Sequence, residues 1–180
     1  EMFSKEVLQE IKDDVGSKVW AGLYQQTPML EGAAIFNPDD WQRYVLPPAL
    51  NGLTIVASWD MAFKDSKTAD FVVGQVWGFA GRGKAYLPEQ VRGRWDFKRT
   101  LREVREQVKR WPRVGAVYVE DAANGPGIVS MLRADVAGLR LVRVKESKEA
   151  RAHAVAPFVE SKSVYIPKRA TWVDDYVSEH

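Results

Sequence analysis

The sequence predicts an α/β fold in which a mixed central sheet, with antiparallel strands 1 to 3 and then parallel strands 4 and 5, carries helices on both faces. Short β-branched apolar runs alternate with helical periodicities, a Gly-rich turn joins two of the runs, and helices separate the later ones. With 180 residues, 46% of them hydrophobic, the chain is long enough to bury one full core. Lys and Arg total 26 against 24 for Asp and Glu, so the global charge indicates no particular partner.

Composition also bounds the cellular setting. The sequence has no cysteine, which excludes disulfides and thiolate metal sites and suits an intracellular protein. Its longest apolar runs, 53–59 and 71–79, are much shorter than the roughly 20 residues of a membrane span, and no signal-peptide pattern opens the chain. We therefore expect a soluble protein. Because it starts at Glu1 rather than Met, we also expect a piece of a longer chain.

The first 48 residues are predicted to form a helix and an arm. Val7, Ile11 and Val15 recur at helical spacing, which predicts an amphipathic helix over residues 4–20. Residues 20–48 are rich in aromatics, Gly and Pro without a sustained period, which favours a covering arm. We therefore divide the chain into residues 1–48, packing on the rest, and a main domain over residues 49–180.

The main domain is predicted to begin with an antiparallel meander. Residues 53–59 are a continuous apolar run that ends at Asp60, as is typical of a strand covered on both faces. Residues 71–79 and 85–91 form the second and third strands, with the glycines of residues 80–84 in the hairpin turn between them.

Helices and strands then alternate. Asp96 is a good N-cap for a helix that ends at Trp111 and Pro112. The remaining elements are a strand (116–119), a helix (126–136) stopped by Gly138, a strand (139–144), a helix from Lys148 that Pro157 interrupts, an extended segment (164–167) and a last helix with Thr171 as N-cap.

Two carboxylates are predicted to meet at one edge of the sheet. The helix after Asp96 can carry the chain back so that strand four lies parallel to strand one. Strand one ends at Asp60 and strand four at Glu120, so both would emerge where open α/β sheets bind ligands. Carboxylates bind Mg²⁺ or Mn²⁺, and two such ions can hydrolyse a phosphodiester. Taken alone, each acid could also be an ordinary turn residue.

The order of several motifs resembles one nuclease family. Residues 57–62 (ASWDMA), with Asp70 ahead of the next strand, and residues 118–125 (YVEDAANG) are similar to the nuclease half of the large terminase subunit of tailed bacteriophages. Two flanking regions agree with this: residues 23–28 (LYQQTP) with Gly32, Phe36 and Trp41, and Lys148 with Arg151, followed by residues 164–167 (VYIP) and Trp172.

This resemblance implies an RNase H-like fold and a two-metal-ion endonuclease, with Mg²⁺ or Mn²⁺, that cuts concatemeric double-stranded viral DNA during genome packaging. Asp60 and Glu120 would be the catalytic metal ligands, and Asp121 is the rival for Glu120 because a register error of one residue would exchange them. Asp70, Lys148 and Arg151 would bind DNA phosphate or support the ligands.

The family's third carboxylate is expected beyond His180. Asp174 and Asp175 are better explained as acids in the first turn of a helix. The resemblance further implies, as partners, double-stranded DNA, the ATPase domain of the same full-length protein, the small terminase subunit and the portal, and it implies a location in the host cytoplasm without membrane contact. The sequence has no Gly-x-x-x-x-Gly-Lys-Ser/Thr loop, so ATP hydrolysis is expected elsewhere.

Several alternatives remain open. Lys148 and Arg151 could be surface cations, and residues 124–127 could be a phosphate loop or only a turn and helix cap. The chain could also be another RNase H-like nuclease, such as a Holliday-junction resolvase, or a catalytically silent DNA-binding or docking module. The helix after Asp96 has a basic face that could be a solvated surface or a DNA contact, formed by Lys98, Arg99, Arg102, Arg105, Lys109 and Arg110.

Overall fold

A computed structural model describes residues 4–16, 20, 35–46, 49, 51–61, 71–121 and 125–179. The main elements are α1 (Lys5–Val15), β1 (Gln42–Tyr44), β2 (Thr54–Met61), β3 (Val72–Phe79), β4 (Ala85–Gly93), α2 (Phe97–Arg110), β5 (Ala116–Glu120), α3 (Gly125–Leu132), β6 (Leu139–Val142), α4 (Lys148–Glu160), β7 (Val164–Pro167) and α5 (Val173–Ser178). The chain divides into two compact units. Leu46–Lys145 form the sheet unit, and Glu1–Val45 with Glu146–His180 form the terminal unit.

The sheet unit is built on five strands in the order β4-β3-β2-β5-β6. β2, β3 and β4 form an antiparallel meander, and β5 is parallel to both β2 and β6. The predicted α/β class with a mixed sheet is therefore confirmed. The observed β4 continues to Gly93, whereas β6 ends at Val142 rather than at residue 144.

Helix α2 makes the crossover that lays β5 beside β2. Its N-cap is Asp96, as predicted, because the Asp96 side chain accepts a hydrogen bond from the Arg99 backbone N–H at 2.7 Å. The helix ends before Trp111, ahead of Pro112. The chain then enters β5, and just before this strand the Gly115 backbone N–H donates to the Ile55 carbonyl of β2 at 2.9 Å.

Alternate residues of the central strands lie on two different faces of this sheet. Both helices of the sheet unit pack on one face, which we call the helix face. Its apolar core includes Ala57, Trp59, Val117 and Val119 of the strands, Leu101 and Val104 of α2, and Ile128 and Leu132 of α3. The strand residues that alternate with these core residues lie on the opposite face, which we call the polar face.

The terminal unit contains a strand that the sequence did not predict. Residues 42–44, placed in the arm, form β1, which pairs in parallel with β7 from Gln42↔Tyr165 to Tyr44↔Pro167. Directly before β1, the ring of Trp41 meets that of Tyr176 in α5 edge to face, at 5.3 Å between centroids. Much of the predicted arm, residues 21–34 and 47–48, lies outside the described residues. The boundary at residue 48 stays a prediction.

Three details of the predicted helices are wrong. Pro157 does not interrupt α4, which continues through it to Glu160. Thr171 is not the cap of α5, which begins at Val173 after Trp172. The first helix ends at Gly16, whose φ of 80° stops it well before residue 20.

In the described part of the chain, we find no helix long and apolar enough to span a membrane.

Candidate active site

Asp60 and Glu120 occupy matching positions on two neighbouring parallel strands. The β2 and β5 register runs from Val56↔Ala116 to Trp59↔Val119, and the next residue along each strand is a carboxylate. Trp59 and Val119 are buried in the helix face, so alternation puts Asp60 and Glu120 together on the polar face. Both acids are half-buried, which leaves part of each accessible.

The two acids belong to a line of residues that crosses the sheet. Asp60 is opposite Val73 of β3, Val73 is opposite Arg92 of β4, and Glu120 is opposite Val142 of β6. We call this line, Arg92, Val73, Asp60, Glu120 and Val142, the acid row. Neighbouring strands are about 4.8 Å apart, so the backbones of the two acids lie at about that distance.

The next line on the polar face is also hydrophilic. Gln75 Nε2 donates to Gln90 Oε1 at 2.7 Å, and Trp77 Nε1 donates to Gln75 Oε1 at 3.0 Å. On β5 and β6, the guanidinium carbon of Arg140 is 5.9 Å from the centre of the Tyr118 ring. The acid row therefore lies beside further polar groups, whereas the helix face behind it is apolar.

Asp121, the predicted rival of Glu120, has other partners. Its backbone N–H donates to the Val142 carbonyl at 2.8 Å, which continues the ladder and turns the side chain away from the polar face. Its carboxylate accepts a hydrogen bond from Arg143 Nε at 3.0 Å and is 18% exposed. The geometry thus groups Glu120, and not Asp121, with Asp60.

The donor set of the acid row suits a hard divalent cation, because both side chains offer carboxylate oxygens. Two carboxylates are fewer protein ligands than a closed site needs. Among the residues that the structure describes, no group of three or more His, Asp or Glu side chains could hold a metal ion. Asp70, which the sequence places near this site, falls within residues 62–70, outside the described part.

The other predicted phosphate ligands lie in the terminal unit. Lys148 is the exposed first residue of α4, and Arg151 is a half-buried residue of the same first turn. The cap of this helix is Ser147, whose Oγ accepts from the Ala150 backbone N–H at 3.1 Å. Asp174 and Asp175 lie in the first turn of α5, as predicted, and Asp174 is 3.7 Å from Arg43.

Much of the basic face of α2 is paired within the sheet unit. Arg105 contacts Asp135 at 2.6 Å and Lys109 contacts Glu106 at 2.8 Å. Arg110 forms an ion pair with Glu89 of β4. These partners favour a solvated helix surface over a DNA contact.

Sequence reasoning missed two arginines near the acids. Arg92 lies in the acid row, and Arg143 follows β6 and holds Asp121. Only their positions close to predicted strand ends could have indicated them. To place Arg92 in the acid row, one must know the register between β3 and β4, which the sequence does not reveal.

The sheet unit has the arrangement of the RNase H-like class of fold. An antiparallel meander (β2 to β4) is followed by a helical crossover (α2) and a parallel strand (β5), and the acid of β5, Glu120, lies beside the acid of β2, Asp60. Residues 57–180 match the model of the terminase RNase H-like domain, and the chain belongs to this family. The predicted family is thereby confirmed. A search of curated protein sequences found no match.

Solved structures agree with this assignment of the fold. The large terminase of the thermophilic bacteriophage D6E has a TM-score of 0.66 and 13% identity over 98% of this chain and 44% of that chain. The large terminase nuclease of phage G20c with bound magnesium has a TM-score of 0.56 and 16% identity over 81% and 80%. The P22 large terminase nuclease domain gives 0.58 and 9% over 82% and 78%. This chain therefore spans less than half of the D6E protein.

Proposed function

We propose that this chain is the nuclease part of a large terminase subunit and that it cuts double-stranded DNA with the help of divalent metal ions. The observation that carries the proposal is the matched position of Asp60 and Glu120 on neighbouring parallel strands. The large terminase nuclease of phage G20c has been solved with bound magnesium and with bound zinc, which supports a divalent-cation site in this fold.

Asp60 and Glu120 are the proposed metal ligands. They would hold a pair of Mg²⁺ or Mn²⁺ ions, which would supply activation of water and stabilisation of the leaving oxygen of a phosphodiester. The two carboxylates hold this charge at a fixed place on the polar face, because buried Trp59 and Val119 anchor the strands directly before them. Their partial exposure leaves room for a DNA backbone to approach.

The proposed supporting residues are Asp70, Lys148 and Arg151. Lys148 is exposed at the start of α4, where the helix N-terminus adds to its positive charge, so it suits a phosphate contact. Arg151, in the same first turn, is proposed to bind a phosphate oxygen with its guanidinium edge.

The proposed biological setting is the cutting of concatemeric viral DNA during genome packaging in the host cytoplasm. The D6E large terminase, whose structure includes a complex with ADP, supports an ATPase domain in the same full-length protein as a partner. The small terminase subunit and the portal are the other proposed partners.

Nicking of supercoiled plasmid in Mg²⁺ or Mn²⁺ tests the proposal, with EDTA as the metal-free control. We expect nicked and linear DNA only with metal, and no preference for four-way junctions over linear duplex. Preference for junctions would indicate a resolvase instead. Absence of any cutting by the folded full-length protein in either metal would indicate a silent binding or docking module.

A further inference from the structure

Phe71, Arg92 and Arg94 form a compact cluster, which we call the arginine clamp. The guanidinium carbon of Arg92 is 3.8 Å from the centre of the Phe71 ring, and that of Arg94 is 4.7 Å from it. These distances are those of cation–π contacts. Phe71 and Arg94 are exposed and Arg92 is half-buried, so two positive charges are held together at the surface of the sheet unit.

The backbone directs Arg92 to the polar face. Gly93 is opposite Val72, which is buried in the helix face, and a Cβ at Gly93 would overlap the indole of Trp95. Trp95 itself packs against the apolar core. Because Gly93 faces the core, Arg92, which precedes it on β4, faces the other way. Arg94, just beyond the strand, lies beside Arg92 because both contact the Phe71 ring.

The clamp is aligned with the proposed metal ligands. Arg92 belongs to the acid row and is separated from Asp60 by one strand, which corresponds to about 10 Å between their backbones. A short stretch of DNA backbone spans this distance. A polyanion that crosses the sheet along the acid row would therefore meet the clamp on β4 and the two carboxylates on β2 and β5.

We propose that Arg92 and Arg94, braced by Phe71, bind a phosphate of duplex DNA close to the scissile one and so position the cut phosphodiester over Asp60 and Glu120. This inference rests on the proposed function. Two guanidinium groups close to one exposed ring place charged N–H donors together, and such donors suit phosphate oxygens.

Binding of a fluorescent duplex to the whole chain, measured by anisotropy without divalent metal at several salt concentrations, tests the clamp. Arg92→Ala with Arg94→Ala removes two phosphate contacts, so the slope of log affinity against log salt should fall by about 1.8. At about 0.1 M salt, this corresponds to an affinity loss of several tens of fold. The matched control, Arg102→Ala with Arg133→Ala, removes two exposed arginines elsewhere in the sheet unit and should keep the wild-type slope.

Two further variants keep the test decisive if the double variant unfolds. Arg94→Ala changes an exposed residue beyond the end of β4, and it should lower the slope by about 0.9. Phe71→Leu retains both charges, so the slope should stay while affinity falls a few fold. A wild-type slope in Arg94→Ala and in the folded double variant would overturn the clamp, even if the chain cuts DNA. A reduced slope in these variants, together with a folded full-length wild-type protein that never cuts DNA, would instead retain the clamp and refute the nuclease.

Discussion

The indole of Trp59 lies against Gly74, its partner on the adjacent strand. The two residues are in register, and a Cβ on Gly74 would come within 2.5 Å of Trp59 Cζ2. Trp59 is only 1% exposed and directly precedes Asp60. A glycine on β3 is therefore what allows the large side chain that anchors β2 beside the candidate site.

Gly74→Ala should lower the free energy of unfolding by about 1 to 3 kcal/mol, because the added methyl overpacks a full core. Urea denaturation measures this change. Gly81→Ala is the matched control, since a Cβ there meets no atom within 4 Å and the φ of Gly81 is not positive. Equal stability of the two variants would contradict the packing role of Gly74.

Asp60→Asn and Glu120→Gln should each abolish metal-dependent nicking of plasmid DNA while the fold is retained. Each change removes the negative charge of a proposed ligand with little change in volume. Rates are measured alongside thermal unfolding, and Asp135→Asn serves as control because it alters an exposed acid outside the acid row. Nicking at the wild-type rate by a folded Asp60→Asn protein would remove Asp60 from the site.

Asp121→Asn should keep measurable nicking activity, in contrast to Glu120→Gln, because Asp121 is paired with Arg143 and not grouped with Asp60. Side-by-side rates in Mn²⁺ make the comparison. The reverse order, a dead Asp121→Asn and an active Glu120→Gln, would show that Asp121 is the ligand.

Lys148→Ala with Arg151→Ala should weaken binding to all duplex sequences alike and reduce the salt slope by up to about 1.8, if both residues bind phosphate. Anisotropy titrations with two unrelated duplexes measure this. Arg102→Ala with Arg105→Ala is the companion variant, and it should keep the slope because Arg105 is already paired with Asp135. An unchanged slope in the first variant would assign Lys148 and Arg151 to the plain protein surface.

Alkaline pH should destabilise the fold through half-buried Tyr44 and buried Tyr176. Burial raises the pKa of Tyr44 to about 12 and raises that of Tyr176 well above its usual range. A raised folded-state pKa means that the unfolded chain loses its phenol protons first, so stability is intact below about pH 10 and falls between about pH 10 and 12. Urea midpoints across this range should fall less steeply for Tyr44→Phe. An identical pH profile for that variant would exclude this role.

The sheet and its acid pair were predictable because local signals and topology agree. Apolar runs gave β2, β3 and β5, the Asp96 cap gave α2, and the crossover then required Asp60 and Glu120 to be neighbours. By contrast, β1 has three residues, too few for a period, and its partner Tyr165 is distant in the chain from Gln42.

The arginine clamp was hidden for a different reason. The ladder between β3 and β4 shifts its register between Val76 and Gly78. Counting outward from the hairpin would pair Arg92 with Val72 and so place it on the helix face, whereas the observed partner is Val73. Pro88 lies at this irregularity, and a proline within a strand is compatible with either a bulge or an edge strand. Pro88 alone therefore did not fix the register, and the face of every later residue on β4 needed the structure.

The crossover through α2 also sets when the acid pair can exist. Asp60 and Glu120 are 60 positions apart in the chain, and the contact between them forms only when β5 docks on β2. Contacts of such long sequence separation close a large loop and tend to form late in folding. A nascent or partly unfolded chain thus holds two isolated carboxylates with no shared position for a cation. DNA-cutting chemistry that depends on this pair would be withheld until the meander, the helix and the fifth strand have all assembled.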